Sequence, residues 1–376
     1  MVGVGVMPLA GTAWAADPCS APSSGGVVTC SYSSTGSEQT FTVPSGVTQV
    51  QVVAVGGGGG VSVDGNTPSR GARVSGTLPG LSAGQVLYVE VGGAATGGSN
   101  CYSTVTCNGG FNGGGSNPLF AGGGGGASDV RTQTQSAAGS LASRVVVAAG
   151  GGGGASTAGA CDAARLPGGD GGNGGSAGGP GQVCPGVTGA STGGGAGTAS
   201  AGGVGGTSSV DGQVQSTGNA GTQGVGASTS GFAGAGGGGL YGGGSGGDTA
   251  GSGGGDAVSA GGGGGGSSLV PSGGTVSVAG DPASITISYT VPANNGAAAQ
   301  LSALASAVQG VGPGNSLSSK IASARSSLAA GDTAGTCSSL TGFINEVKAQ
   351  SGKKIPTATA NQLIADASRI RGLIGC

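Results

Sequence analysis

The sequence predicts a mainly β protein: an antiparallel sandwich carrying an inserted polyglycine II helix bundle, followed by a small disulfide-linked four-helix domain. Three observations predict it. Apolar and polar residues alternate with period two in short segments such as "VVTCSY", "VTQVQVVAV" and "SITISYTV", the signature of half-buried strands. Glycine supplies 96 of the 376 residues, in recurring runs that lie between those segments. From residue 296 onward the apolar spacing changes to three and four, the period of a helix.

The elements follow in order. Residues 1–15 read as a secretory signal, because apolar residues lead to Ala13-Trp14-Ala15, a small-x-small cleavage pattern before Ala16. A basic leading region is missing from it. Residues 16–295 form the expected glycine-rich β-sandwich. Its strands are "VVTCSY", "TFTV", "VTQVQVVAV", "RVSGTL", "QVLYVEV", "SDVRT" and "SRVVVAA", then "TVSVAG" and "SITISYTV" after the glycines. The polyglycine insertion covers about 150–274.

Each glycine costs about 0.5–1 kcal/mol of backbone entropy relative to alanine. Dozens of them need an offsetting gain, or the tract is a loose linker. Runs at 150–154, 168–182, 236–246 and 261–266 alternate with polar loops, which a flexible linker has no reason to do. Extended three-residue-per-turn chains make no internal hydrogen bonds. Packed side by side, they satisfy one another's N–H and C=O groups, as burial requires.

Eight cysteines and an exported destination suit disulfides. Sequence neighbours pair Cys19 with Cys30, Cys101 with Cys107, Cys161 with Cys184, and Cys337 with Cys376, one of many connectivities that eight cysteines allow. A Cys161–Cys184 bond needs Cα atoms within about 7 Å, so the run between them doubles back near Asn173–Ala177.

Residues 296–376 read as helices. Leu301, Leu304 and Val308 share one face, and Leu317, Ile321 and Leu328 the next. Asp332 caps a third helix with Leu340, Ile344 and Val347 aligned. Thr357 caps a fourth with Leu363, Ala367 and Ile370. Antiparallel packing of the last two brings Cys337 beside Cys376.

Composition excludes much chemistry. There is no histidine, which removes Ser-His-Asp and Cys-His catalysis and histidine metal sites. All lysines lie at or beyond Lys320, and the basic residues before 296 are Arg70, Arg73, Arg131, Arg144 and Arg165. So sparse a set does not supply the phosphate contacts of nucleic-acid binding. GxGxxG recurs as it must in any glycine run, without a strand–turn–helix unit, and no GK[ST] triplet follows the glycines. "GGSGGDTAG" and "GSGGGDAVS" approximate calcium β-roll repeats, but Asp248 and Asp256 are spaced by eight rather than nine. No cofactor or metal is expected, and no apolar stretch is long enough to span a bilayer. Glu38 and Glu90 read as solvent-facing strand residues; as an acid–base pair they define the alternative, a carboxylate-based extracellular hydrolase or a carrier module for one.

"GGFNGGG" at Gly109–Gly115, "GGGGGASDVR" at Gly122–Arg131 and "SRVVVAAGGGGGAS" at Ser143–Ser156 resemble the glycine-rich domain of the anaplastic lymphoma kinase and leukocyte tyrosine kinase receptors, and bacterial secreted proteins with a similar domain. The resemblance covers about residues 35–291. It implies a jelly-roll-like sandwich with a polyglycine helix bundle and an extracellular role in ligand recognition, with no kinase. "LTGFINEVKAQSGKKI" and "RIRGLIGC" are similar to the FIMAH-type domain of bacterial exported proteins. That likeness implies location more than mechanism.

The expected function is non-catalytic: a secreted or cell-surface structural and binding protein, adhesin-like, presenting loops on a rigid scaffold to an extracellular protein or glycan. The contact residues expected are Asp162, Arg165, Asp211, Gln213, Phe232 and Tyr241. The basic tail, including Lys353 and Lys354, reads as a solvated helical face, with contact to an anionic cell envelope as the functional alternative.

Overall fold

The computed structural model describes residues 18–20, 26–44, 46–62, 69–97, 107–156, 160–161, 164–165, 171–252, 255–290, 293–312 and 314–376. The expected signal segment, Cys101 and Asp162 lie outside them. Cys161 and Arg165 are described by their backbone alone.

Two antiparallel sheets hold the main core. The first has five strands in the order β1-β16-β3-β4-β15: β1 (Val27–Ser33), β3 (Gln49–Val55), β4 (Ala72–Pro79), β15 (Thr275–Val278) and β16 (Ser284–Thr290). The second has four, β2 (Gln39–Thr42), β5 (Val86–Glu90), β6 (Ser128–Arg131) and β7 (Arg144–Ala148), in the order β2-β5-β6-β7. Alternation decides which face turns inward. Val28, Cys30 and Tyr32 of β1, Val50, Val52 and Ala54 of β3, and Ile285 and Ile287 of β16 are all buried in one cluster with Leu87, Val89, Val130 and Val146. Each such aliphatic contributes about 1.5–3 kcal/mol on burial. The register follows: Cys30 faces Ile287, which faces Val52.

The closed, jelly-roll-like sandwich expected from the sequence is not what forms. Both sheets are open and uncurled, with β1 and β15 at the edges of one and β2 and β7 at the edges of the other. With four α-helices following, the fold is a mixed α/β one. The physical reason lies at the strand ends. After β3 the chain passes directly into glycine at Gly56, and after β5 and β7 it does so one residue on, at Gly92 and Gly150. Among the described residues no strand continues around a corner to close one sheet onto the other.

The polyglycine II helices are likewise corrected. The described glycine runs belong to no helix; they are irregular extended segments. Their backbone groups are instead satisfied between segments far apart in the chain. Gly57 N–H donates to Gly126 O (2.8 Å), Gly125 N–H to Gly151 O (2.7 Å), and Gly151 N–H to Gly57 O (3.0 Å), a closed circuit of three runs. Gly153 donates to Ala235 O, Gly263 to Gly153 O and Gly264 to Gly244 O. A side chain has no room there. A Cβ on Gly152 would lie 2.1 Å from Gly263 O, and one on Gly264 2.1 Å from Gly195 O. Three small sheets border these segments: β8 (Ala160–Cys161) with β9 (Ala164–Arg165); β10 (Gly189–Ser191), β11 (Thr207–Val210) and β12 (Gln213–Thr217); and β13 (Ala250–Ser252) with β14 (Gly255–Val258). The chain reverses at residues 173–176, where Ser176 N–H donates to Asn173 O and Gly175 takes φ +89°.

The helical region comprises α1 (Ala293–Ala307), α2 (Ser316–Ala329), α3 (Thr333–Gln350) and α4 (Thr357–Ile374). Leu301, Leu304, Leu317, Ile321, Phe343 and Leu363 belong to its core. Asp332 caps α3 by accepting from Gly335 N–H at 2.8 Å. Thr357 does not cap α4; Pro356 holds that position, without a side-chain cap, and Thr357 is already helical. Cys337 is joined to Cys376, and Cys19 to Cys30. Cys107 and Cys184 are also disulfide-bonded. Among the described residues no helix is long and apolar enough to cross a membrane.

Candidate functional site

The "SDVR" strand β6 is buried at all four positions. Period two explains how its charges come to be inside. Val130 faces the core, so Asp129 and Arg131 share the opposite face, which the segment around Asn112 covers. There the ion pair is bidentate: Arg131 Nε to Asp129 Oδ1 at 2.6 Å, and Nη2 to Oδ2 at 3.0 Å. Arg131 Nη1 donates to Ser140 Oγ (3.0 Å) and Nη2 to Asn112 Oδ1 (2.7 Å), while Asn112 Nδ2 donates to Asp129 Oδ2 and Ala127 O (both 2.8 Å). Asn112 takes φ +65°, a conformation asparagine tolerates better than most residues. Two of the quoted glycine motifs are thus stitched together by side chains. A third stitch comes from Arg144 of β7, whose Nη1 and Nη2 donate to Gly239 O (2.8 Å) and Leu240 O (2.9 Å).

Glu90 departs most from expectation. The sequence makes it a solvent-facing strand residue, yet its relative exposure is 0%. It sits directly opposite Asp129 across β5 and β6. The β2–β5 register, with Gln39 opposite Val89, continued by one residue sets Glu38 on its other side. Three carboxylates therefore form one cross-strand row, and like charges directly opposite are unfavourable. Burial, the largest cause, pushes the Glu90 pKa up to about 7; Arg131 pulls it down, and Glu38 and Asp129 add to the rise. Among the described residues neither carboxyl oxygen has a hydrogen-bond partner, so the influence of Glu38 is one of proximity. Glu38 lies just before β2, half-buried. Burial raises its pKa, but donation from the Gln135 N–H and the Thr134 hydroxyl outweighs that and leaves it lowered. Among the described residues no group of three His, Cys, Asp or Glu side chains is arranged to hold a metal ion.

The expected contact residues fall in separate places. Asp211 and Gln213 are exposed on the β11–β12 hairpin, whose Asp211 and Gly212 both have positive φ, 49° and 75°, as a two-residue type I′ turn requires. Tyr241 is half-buried and bridges Gln223. Phe232 is half-buried and stacks on Phe120, with ring centroids 5.0 Å apart and planes 12° from parallel. Asp248 sits beside it: Oδ1 accepts from the N–H groups of Phe232 and Thr249, each at 2.9 Å. The calcium reading of Asp248 therefore gives way to a loop-capping one, while the side chain of Asp256 is outside the description. Sequence reasoning missed Phe120 as the partner of Phe232, and the pairing leaves no local signal because the two are 112 residues apart. No protein-family model matches the chain, and no curated protein matches it at a significant level.

Proposed function

We propose that the chain is a non-catalytic secreted or cell-surface binding protein, adhesin-like, with the Phe120–Phe232 stack as its contact point for an extracellular glycan. The observation that carries this reading is that stack, half-buried beside the Asp248 carboxylate. An aromatic face offers apolar area to the C–H face of a sugar ring, and with Asp248 Oδ1 taken up by two backbone N–H groups, Oδ2 is the oxygen offered to a sugar hydroxyl. The glycine segments behind the stack are cross-linked through their backbones, which favours a preorganised contact. Extracellular residence is supported by the disulfides and by the absence of free cysteines among the described residues. The resemblance to the receptor glycine-rich domain fits the same role.

A glycan array probed with the whole protein tests it. Saturable binding that falls at least tenfold in Phe232→Ala and in Asp248→Asn supports the reading; binding indifferent to both substitutions refutes it. The carboxylate row favours a second reading, the hydrolase, with Glu90 as acid and Glu38 as base. Its test is turnover of polysaccharides that Glu90→Gln and Glu38→Gln abolish. The full burial of Glu90 counts against it, since a general acid must reach the leaving oxygen.

A further inference from the structure

All four lysines of the chain, Lys320, Lys348, Lys353 and Lys354, lie in the helical region, and the fold gathers them at one end of it. Lys320 is in the second turn of α2, and its Nζ pairs with Glu346 at 2.7 Å. Lys348 is in the last turn of α3. Lys353 and Lys354 occupy the turn between α3 and α4, which Gly352 (φ +72°) and the Gly352 N–H to Ile355 O bond fold back on itself. The α1–α2 turn reaches the same end, since a Cβ on Gly312 would lie 3.5 Å from the Ile355 side chain.

The charge there is unbalanced. Lys348, Lys353 and Lys354 are exposed, and none of their ammonium groups makes an ion pair or hydrogen bond among the described contacts. The sole carboxylate nearby on α3, Glu346, is already engaged by Lys320 and by the Ser316 hydroxyl. Asp332 caps α3 at its far end, and Asp366 is held by Arg369. Residues 293–376 carry seven basic side chains against three acidic, net +4; the rest of the chain carries five against eleven, net −6, giving the overall −2. Lys348 has a structural duty, because a cation in the last turn offsets the negative end of a helix. Lys353 and Lys354 lie beyond α3 and have none.

We propose that this lysine end is a docking surface for a linear polyanion with closely spaced phosphates. Lysine is a flexible point charge that meets phosphate without the planar pairing arginine imposes, and three unpaired lysines within seven residues suit a repeating charge. A membrane surface fits less well. Interfacial docking combines basic residues with exposed apolar ones, and among the described residues the exposed large hydrophobics, Val27, Val86, Val204, Val214, Val225, Val276 and Val278, are all outside the helical region. A second copy fits less well too. Among the described residues before 293, Glu90 and Asp129 are buried, Asp281 is paired with Arg73, and Glu38 and Asp248 accept from backbone N–H groups, so apart from the exposed Asp211 these residues present no acidic patch to match the lysines.

The test titrates the full-length protein with inorganic polyphosphate by calorimetry across a salt series. Each phosphate neutralised along a single strand contributes about 0.7 to the slope of log K against log salt. Three lysines then give a slope near −2, or about 16-fold weaker binding for a fourfold rise in salt. Lys348→Gln/Lys353→Gln/Lys354→Gln is expected to abolish binding, and the corresponding triple Arg variant to keep it. Should the Gln triple lose helical circular dichroism, Lys353→Gln/Lys354→Gln alone is read, with about two thirds of the slope lost. Wild type that does not bind, binding unchanged by the Gln substitutions, or binding lost in the Arg triple overturns the proposal. So does lysine-dependent binding to anionic phospholipid vesicles in place of the polymer.

Discussion

Replacing Glu90 by glutamine is expected to remove a fall in stability that the wild-type protein shows as pH rises from about 4.5 to about 7. In the folded chain the Glu90 carboxyl keeps its proton up to about 7, against 4.5 for a free glutamate. Between those values the folded state binds a proton that the unfolded state has released. Stability therefore decreases with rising pH across that window, and is level above it. A gap of that size, at about 1.36 kcal/mol per unit, amounts to roughly 3 kcal/mol. Glu38 acts with the opposite sign in a different window. Its lowered pKa gives stability that is present above 4.5 and lost as pH falls below it, so the two contributions separate. The assay is urea unfolding followed by the strand signal in circular dichroism, from pH 4 to 8.5, for wild type and Glu90→Gln. The difference between the two curves should fall by roughly 3 kcal/mol from pH 4.5 to 7. A difference that stays flat within about 0.5 kcal/mol, or that rises, would refute the account of a buried, protonated Glu90.

Two further outcomes test the packing. Gly264→Ala drives a methyl to within 2.1 Å of the Gly195 carbonyl oxygen, which is backbone and has nowhere to yield; a loss of at least ~2 kcal/mol is expected. Gly280→Ala, with nothing within 4 Å, should stay within about 0.5 kcal/mol in the same melt. Cys337→Ser/Cys376→Ser opens a link between residues 39 apart. It should lower the stability of the helical signal by about 3–4 kcal/mol and leave the strand signal in place; an unchanged helical melt would count against that link.

The parts of the fold that were legible are those written in local periodicity. In β1 and β3 every second residue is buried, and in β16 Ile285 and Ile287 are, and the Leu301, Leu317 and Leu340 stripes show the same for helices. What was not legible depends on contacts between distant segments. Alternation sets Glu90 on the face opposite Val89, and nothing local states that this face is covered rather than wet. The cover is "GGFNGGG", whose Asn112 reaches Arg131 across 19 residues. The openness of the sheets is hidden for the same reason: strand pattern records which face is apolar, not whether the sheet closes. The strands β8 to β14 are two to five residues long and too rich in Gly, Ser and Ala to show a period. The cap preference of threonine points to Thr357, but Pro356 already takes the extended capping conformation, φ −52° and ψ 139°, and starts the helix one residue earlier.

The backbone circuit among the glycine runs also fixes when the molecule can acquire its shape. Gly57 must meet Gly126 and Gly151, and Gly153 must meet Ala235 and Gly263, so each link closes a long loop before any neighbouring link rewards it. Such high contact order slows folding, and a segment of bare backbone has no side chains with which to collapse early. On the ribosome, the circuit that starts at Gly57 stays incomplete until Gly151 has emerged, and the links of Gly153 until Ala235 and Gly263 have.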